Sequence, residues 1–89
     1  MEELDLRQIR RQINDVNDEM LKLFVKRMEL SAKVASYKKA HNMPTLDRKR
    51  EEDILQRVAD CTEDEYRQYA LEFFRYMMDI SKEYQETIK

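Results

Sequence analysis

The sequence predicts an all-α protein, and three observations carry that expectation. The 89 residues include no glycine and one proline, and charge of both signs is dispersed along the chain, 17 Lys plus Arg against 19 Asp plus Glu. Apolar residues recur at alternating steps of four and three, the period of a helix face. Average usage would supply about six glycines in a chain of this size. Their absence argues against hairpins, phosphate-cradling loops and dinucleotide folds, which need positive φ or close backbone approach. The length allows one small domain spanning residues 1–89.

Three helices are expected, one long, one short and one of medium length. From Leu6 the apolar residues Ile9, Ile13, Val16, Met20 and Leu23, then Leu30, Val34 and Tyr37, mark a first helix over about residues 5–41. The run His41-Asn42-Met43-Pro44-Thr45 ends it, because the residue before a proline is pushed out of the helical region and Asn terminates helices well. A second helix, about 47–60, starts at Asp47, a favourable N-cap, and carries Ile54, Leu55 and Val58 inward. The third, about 63–87, opens on Thr62-Glu63-Asp64-Glu65, a capping-box pattern, and continues through Tyr66, Ala70, Phe73, Met77 and Tyr84.

Helix length bears on assembly. A first helix of about 35 residues is about 52 Å long, whereas a compact chain of this size has a radius of gyration near 12 Å. An apolar stripe on such a helix needs a partner, so an intertwined homodimer is expected, with a straight coiled-coil dimer lacking any site as the alternative.

Composition also excludes function classes. A net charge of -2 lacks the basic excess of a nucleic-acid or anionic-membrane binder. Cys61 is alone and His41 is the one histidine, so no disulfide within the chain and no zinc-ligand set is expected, and no metal or cofactor is implied. No uncharged run approaches the ~20 residues of a membrane span, and Met1-Glu2-Glu3-Leu4-Asp5 does not resemble a signal peptide. A soluble cytoplasmic protein is the expectation.

Polar residues then fall where the apolar pattern should continue. The four-three register from Met20 and Leu23 lands on Arg27, and a buried cation needs a carboxylate or an anionic ligand. Lys38 follows eleven residues later, about 20° around the helix from Arg27. Ser31 and Ala35, both small, lie between them. On the second helix the inward stripe of Val58 and Ile54 leads back to Glu51 and Asp47, with Arg50 adjacent. On the third, Phe74 and Met78 lead on to Ser81 and Gln85. Arg10 lies at the margin of the first helix's apolar face, from which a crossed dimer could bring it to the partner's cavity.

Each position also has a plain structural reading. The cations can be halves of intrahelical ion pairs, Asp47 a simple cap, Arg48-Lys49-Arg50 a solvated cluster, and Ser81 with Gln85 a fraying helix end. Together they describe a pocket of cations, two acids and two neutral hydrogen-bonding groups. No nucleophile stands with a base, since neither Ser81 nor Cys61 has a histidine in register. Binding and positioning, not covalent attack, is the chemistry implied.

Over about Leu6 to Glu86 the sequence resembles the all-helical chorismate mutases. The resemblance is carried by Ile9-Arg10-Arg11-Gln12-Ile13 with Asp15 and Asn17, Arg27-Met28-Glu29-Leu30, Val34-Ala35-Ser36-Tyr37-Lys38, Pro44 to Glu51, and Ser81-Lys82-Glu83-Tyr84-Gln85. It implies three helices per chain interlocked into a dimer with two equivalent active sites, and the Claisen rearrangement of chorismate to prephenate in Phe/Tyr biosynthesis without cofactor or metal. It further implies that Arg10 of one protomer, with Arg27 and Arg50 of the other and help from Ser81, contacts the two carboxylates of chorismate. Lys38 and Gln85 would donate to the ether oxygen, and Glu51 with the Asp47 backbone would hold the ring hydroxyl. Lys82 stands where the resemblance leads one to expect an apolar lining residue.

Two other functions fit the same residues. One is a lyase of the same fold that eliminates pyruvate from isochorismate. The other is a non-catalytic helical dimerisation module whose seam cations pair with Glu51 and Asp47. Whether the chain stands alone or forms the mutase part of a bifunctional enzyme is left open by the sequence.

Overall fold

The computed structural model describes residues 5–88, and residues 1–4 and 89 of the expected domain lie outside the described residues. The described chain is all-α: α1 spans Leu6–Ala40, α2 Arg48–Asp60 and α3 Asp64–Ile88. The described residues form two units, one up to Leu30 and one from Ser31 on.

In the first unit Asp5 opens α1. Its side chain accepts from the Arg7 N–H at 3.1 Å, and its carbonyl accepts from the N–H groups of Gln8 and Ile9 at 2.9 and 3.1 Å. Two of the orphan donors at the helix start are thereby satisfied. The apolar stripe here lies open, with Ile13 52% and Leu23 65% exposed and Val16 and Met20 exposed alongside.

The second unit begins on α1 at Ser31. Asn42 adopts φ 54°, the left-handed conformation in which Asn is the best tolerated residue after glycine. The Met43 N–H reaches back to the Lys38 carbonyl at 2.8 Å and the Asn42 N–H to Lys39 at 3.3 Å. This pair of bonds is the Schellman termination, and Pro44 prevents the helix from resuming. His41 stacks on Tyr37 with ring centroids 4.0 Å apart, and its Nδ1 lies 2.8 Å from the Tyr37 carbonyl. Helix α2 starts at Asp47, whose extended backbone and carboxylate, accepting from the Arg50 N–H at 3.0 Å, form the N-cap.

Helices α2 and α3 pack on each other, and their turn is tied down by Arg67. This guanidinium donates to the Ala59 carbonyl at 2.9 Å and to the Thr62 carbonyl at 2.8 Å, and it pairs with Asp64. Thr62 donates its hydroxyl to the Val58 carbonyl, so that it serves the end of α2 as well as preceding α3. Cys61 is the C-cap of α2 and is exposed. Among the described residues the buried apolar side chains are Ala35 and Met78.

Because Asn42 carries positive φ, Asn42→Gly should leave thermal stability unchanged or slightly raised. Asn42→Val should lose about 1–2 kcal/mol, the cost of left-handed backbone for a residue with a branched Cβ, read as a lower unfolding midpoint in denaturant.

Candidate active site

The second unit buries polar side chains in preference to apolar ones. On α1, Ser31, Ala35 and Lys38 are buried at steps of four and three; on α3, Met78, Ser81 and Gln85 are buried at steps of three and four. Each trio occupies one helix face. Lys38 and Gln85 are each 9% exposed.

Burial requires these groups to have partners. The Lys38 ammonium donates to the Thr45 carbonyl at 2.8 Å, so the residue that closes α1 through its backbone also anchors the following loop through its side chain. An ammonium has three donors and Thr45 takes one. The Gln85 side-chain oxygen is buried without a hydrogen-bond partner, as is the Thr45 hydroxyl. Leaving such a group unsatisfied costs about 1–3 kcal/mol.

Glu51 lies in the first turn of α2, where the helix dipole favours an anion. Its Oε2 is 2.9 Å from Lys82 Nζ on α3, with side chains 26% and 30% exposed. Lys82 also contacts Asp79 at 3.3 Å. The hydrogen bond to Glu51, foremost, raises the Lys82 pKa above its ordinary value against a lowering by burial, and Asp79 adds a lesser raise.

The remaining expected site residues lie differently. Asp47 is exposed and engaged as the α2 cap. Arg50 is exposed and lines a separate hollow of about 390 Å³ between α2 and α3, with Ile54, Arg57, Val58 and Phe74. In the first unit Arg10 is exposed and Arg27 is half-buried. Sequence reasoning missed the Thr45 carbonyl as the holder of Lys38 and Glu51 as the partner of Lys82. The signal for the second was present, since Lys82 falls four residues after Met78 and three before Gln85, on the buried face of α3.

No group of three or more His, Cys, Asp and Glu side chains able to hold a metal occurs among the described residues. None of the described helices is long and apolar enough to cross a membrane.

These features belong to a class of all-helical enzymes: the sequence pattern of the chorismate mutase type II family matches residues 9–86. The chain is a member of that family, and its activity is that of an isomerase that converts chorismate to prephenate. Neither the curated proteins nor the solved structures give a match.

The Lys82 pair sets an alkaline limit. A lysine whose pKa is higher folded than unfolded contributes stability that is fully present below the unfolded value and disappears as pH rises through the folded one. The stability difference between the wild-type chain and Lys82→Met should therefore be constant between about pH 7 and 9 and shrink above the ordinary lysine range of about pH 10.4, as measured by denaturant unfolding across pH. A difference that grew with alkalinity would contradict the pair's role.

Proposed function

We propose that the chain catalyses its rearrangement by holding chorismate in the pseudo-diaxial conformer and stabilising the charge that grows on the ether oxygen, in active sites shared between the two protomers of a homodimer. The observation that carries this reading is a buried ammonium and a buried amide, Lys38 and Gln85, both within the residues matched by the family pattern.

The reaction is pericyclic: the C–O bond of the ether breaks as a C–C bond forms, with no proton moved and no group transferred to the protein. What a protein can supply is geometry and field. Holding both ends of a flexible substrate so that the reacting carbons meet removes an entropic part of the barrier. Fixed donors in a site from which water is excluded stabilise negative charge more strongly than water does, since they need no reorganisation as the charge appears. In this reading Lys38 and Gln85 donate to the ether oxygen. Arg27, Arg50 and the partner's Arg10, with Ser81, hold the two carboxylates, and Glu51 with the Asp47 backbone accepts from the ring hydroxyl.

Support for the dimer comes from the first unit, where the stripe of Ile13, Val16, Met20 and Leu23 lies exposed on an isolated chain. An exposed row at coiled-coil spacing is what a second helix covers. In this reading the enzyme works in the cytoplasm and supplies prephenate for Phe and Tyr biosynthesis.

Lys38→Ala should lower kcat by about 10²–10³, the usual cost of removing one donor to a developing oxyanion, while Arg48→Ala should retain nearly full turnover; loss of chorismate absorbance reads both. Equal activity in the two variants would remove Lys38 from the site. Mixing Arg10→Ala with Arg27→Ala chains should restore part of the activity that each lacks, because one of the two sites in a mixed dimer is then intact. Prephenate must be the product, and free pyruvate from isochorismate would point instead to elimination.

A further inference from the structure

A lysine on the buried face of a helix is costly unless its charge is answered. Lys82 shares the face of Met78, Ser81 and Gln85, and its ammonium is answered from another helix, by Glu51 Oε2 at 2.9 Å. Asp79, three residues back on α3, steadies the same ammonium at 3.3 Å.

This contact has two physical effects on Glu51. A glutamate side chain has three rotatable bonds, and pinning one carboxylate oxygen to α3 fixes where the other points, so that less freedom is lost when a ligand binds. It also supplies a positive charge beside a carboxylate that must sit close to a dianion, a placement that like-charge repulsion would otherwise oppose. A carboxylate has lone pairs for several donors, so engagement by Lys82 leaves capacity for a hydroxyl.

We propose that Lys82 is a positioning residue that acts through Glu51: the α3 ammonium orients and neutralises the α2 carboxylate so that it can accept from the substrate's ring hydroxyl. The inference rests on the assignment of Glu51 made under Proposed function. The ring hydroxyl does not change charge as the ether bond breaks, so the contact binds ground and transition states alike. Loss of such uniform binding raises KM and leaves kcat in place.

The test is a double-mutant cycle on the full chain with chorismate as substrate, comparing wild type, Lys82→Met, Glu51→Gln, the double variant and Lys82→Arg, with thermal unfolding of each. Lys82→Met should raise KM about three- to tenfold, the worth of one ordered side chain, with kcat within about twofold. In the Glu51→Gln background the same substitution should change KM by less than about twofold, and Lys82→Arg should recover most of the wild-type KM. An equal penalty in both backgrounds would overturn the proposal, because Lys82 would then meet the substrate itself. So would an unchanged KM, or a fall in kcat that tracks a fall in unfolding temperature. A wild-type chain that leaves chorismate untouched would overturn the Glu51 assignment and this inference together, whereas an active wild type with an uncoupled cycle would overturn this inference alone.

Discussion

The constraint on which the structure depends is that an amphipathic helix must have its apolar face covered. Apolar burial is worth about 25 cal/mol per Å², yet the described chain buries Ala35 and Met78 among its apolar side chains and leaves Leu23, Val16 and Ile13 in the open. Meanwhile it buries Ser31, Lys38, Ser81 and Gln85. That inverts the usual ordering, in which lysine and glutamine are seldom enclosed. A single chain thus spends little of its hydrophobic surface on its own interior and encloses groups whose desolvation is expensive. Both halves of the inversion fit the proposed reading, in which a small dianion is bound in a dry cavity and the apolar stripes face a second subunit.

Much of the fold was legible because its determinants are local. The absence of glycine and the four-three spacing are enough for an all-α chain, and Asn42 with Pro44 and Asp47 announce where one helix stops and the next begins. The same spacing flagged Lys38, Ser81 and Gln85 as polar residues on inward faces, where the structure buries them. What spacing could not give is which helix answers which. Lys82 stood out only against the family resemblance, as a cation where an apolar residue is expected; its partner lies 31 residues earlier, and their meeting depends on how α2 packs against α3. That packing is secured by Arg67 reaching the carbonyls of Ala59 and Thr62, contacts to backbone atoms that no side-chain motif encodes. The Thr62 hydroxyl makes the same point, since the capping-box sequence pointed it at the start of α3, whereas it donates to the Val58 carbonyl at the end of the preceding helix.

The Glu51 and Lys82 pair has a balance of its own. Half-buried ion pairs contribute little net stability, because desolvation offsets most of the attraction. Such a pair is easier to understand through specificity of geometry than through folding energy. Exposed pairs such as Lys49 with Asp53, 2.7 Å apart on the surface of α2, have no such geometric task and are screened by salt.

The bond from Lys38 to the Thr45 carbonyl has a consequence for how a guest enters. The ammonium rests on a peptide dipole, so in the proposed reading an incoming oxygen would meet a cation already stripped of much of its water and already aimed. Backbone in the interhelical connection would then act as a placeholder for the reacting atom. Lengthening that connection by a residue would shift the placeholder while leaving every side chain of the site in the sequence.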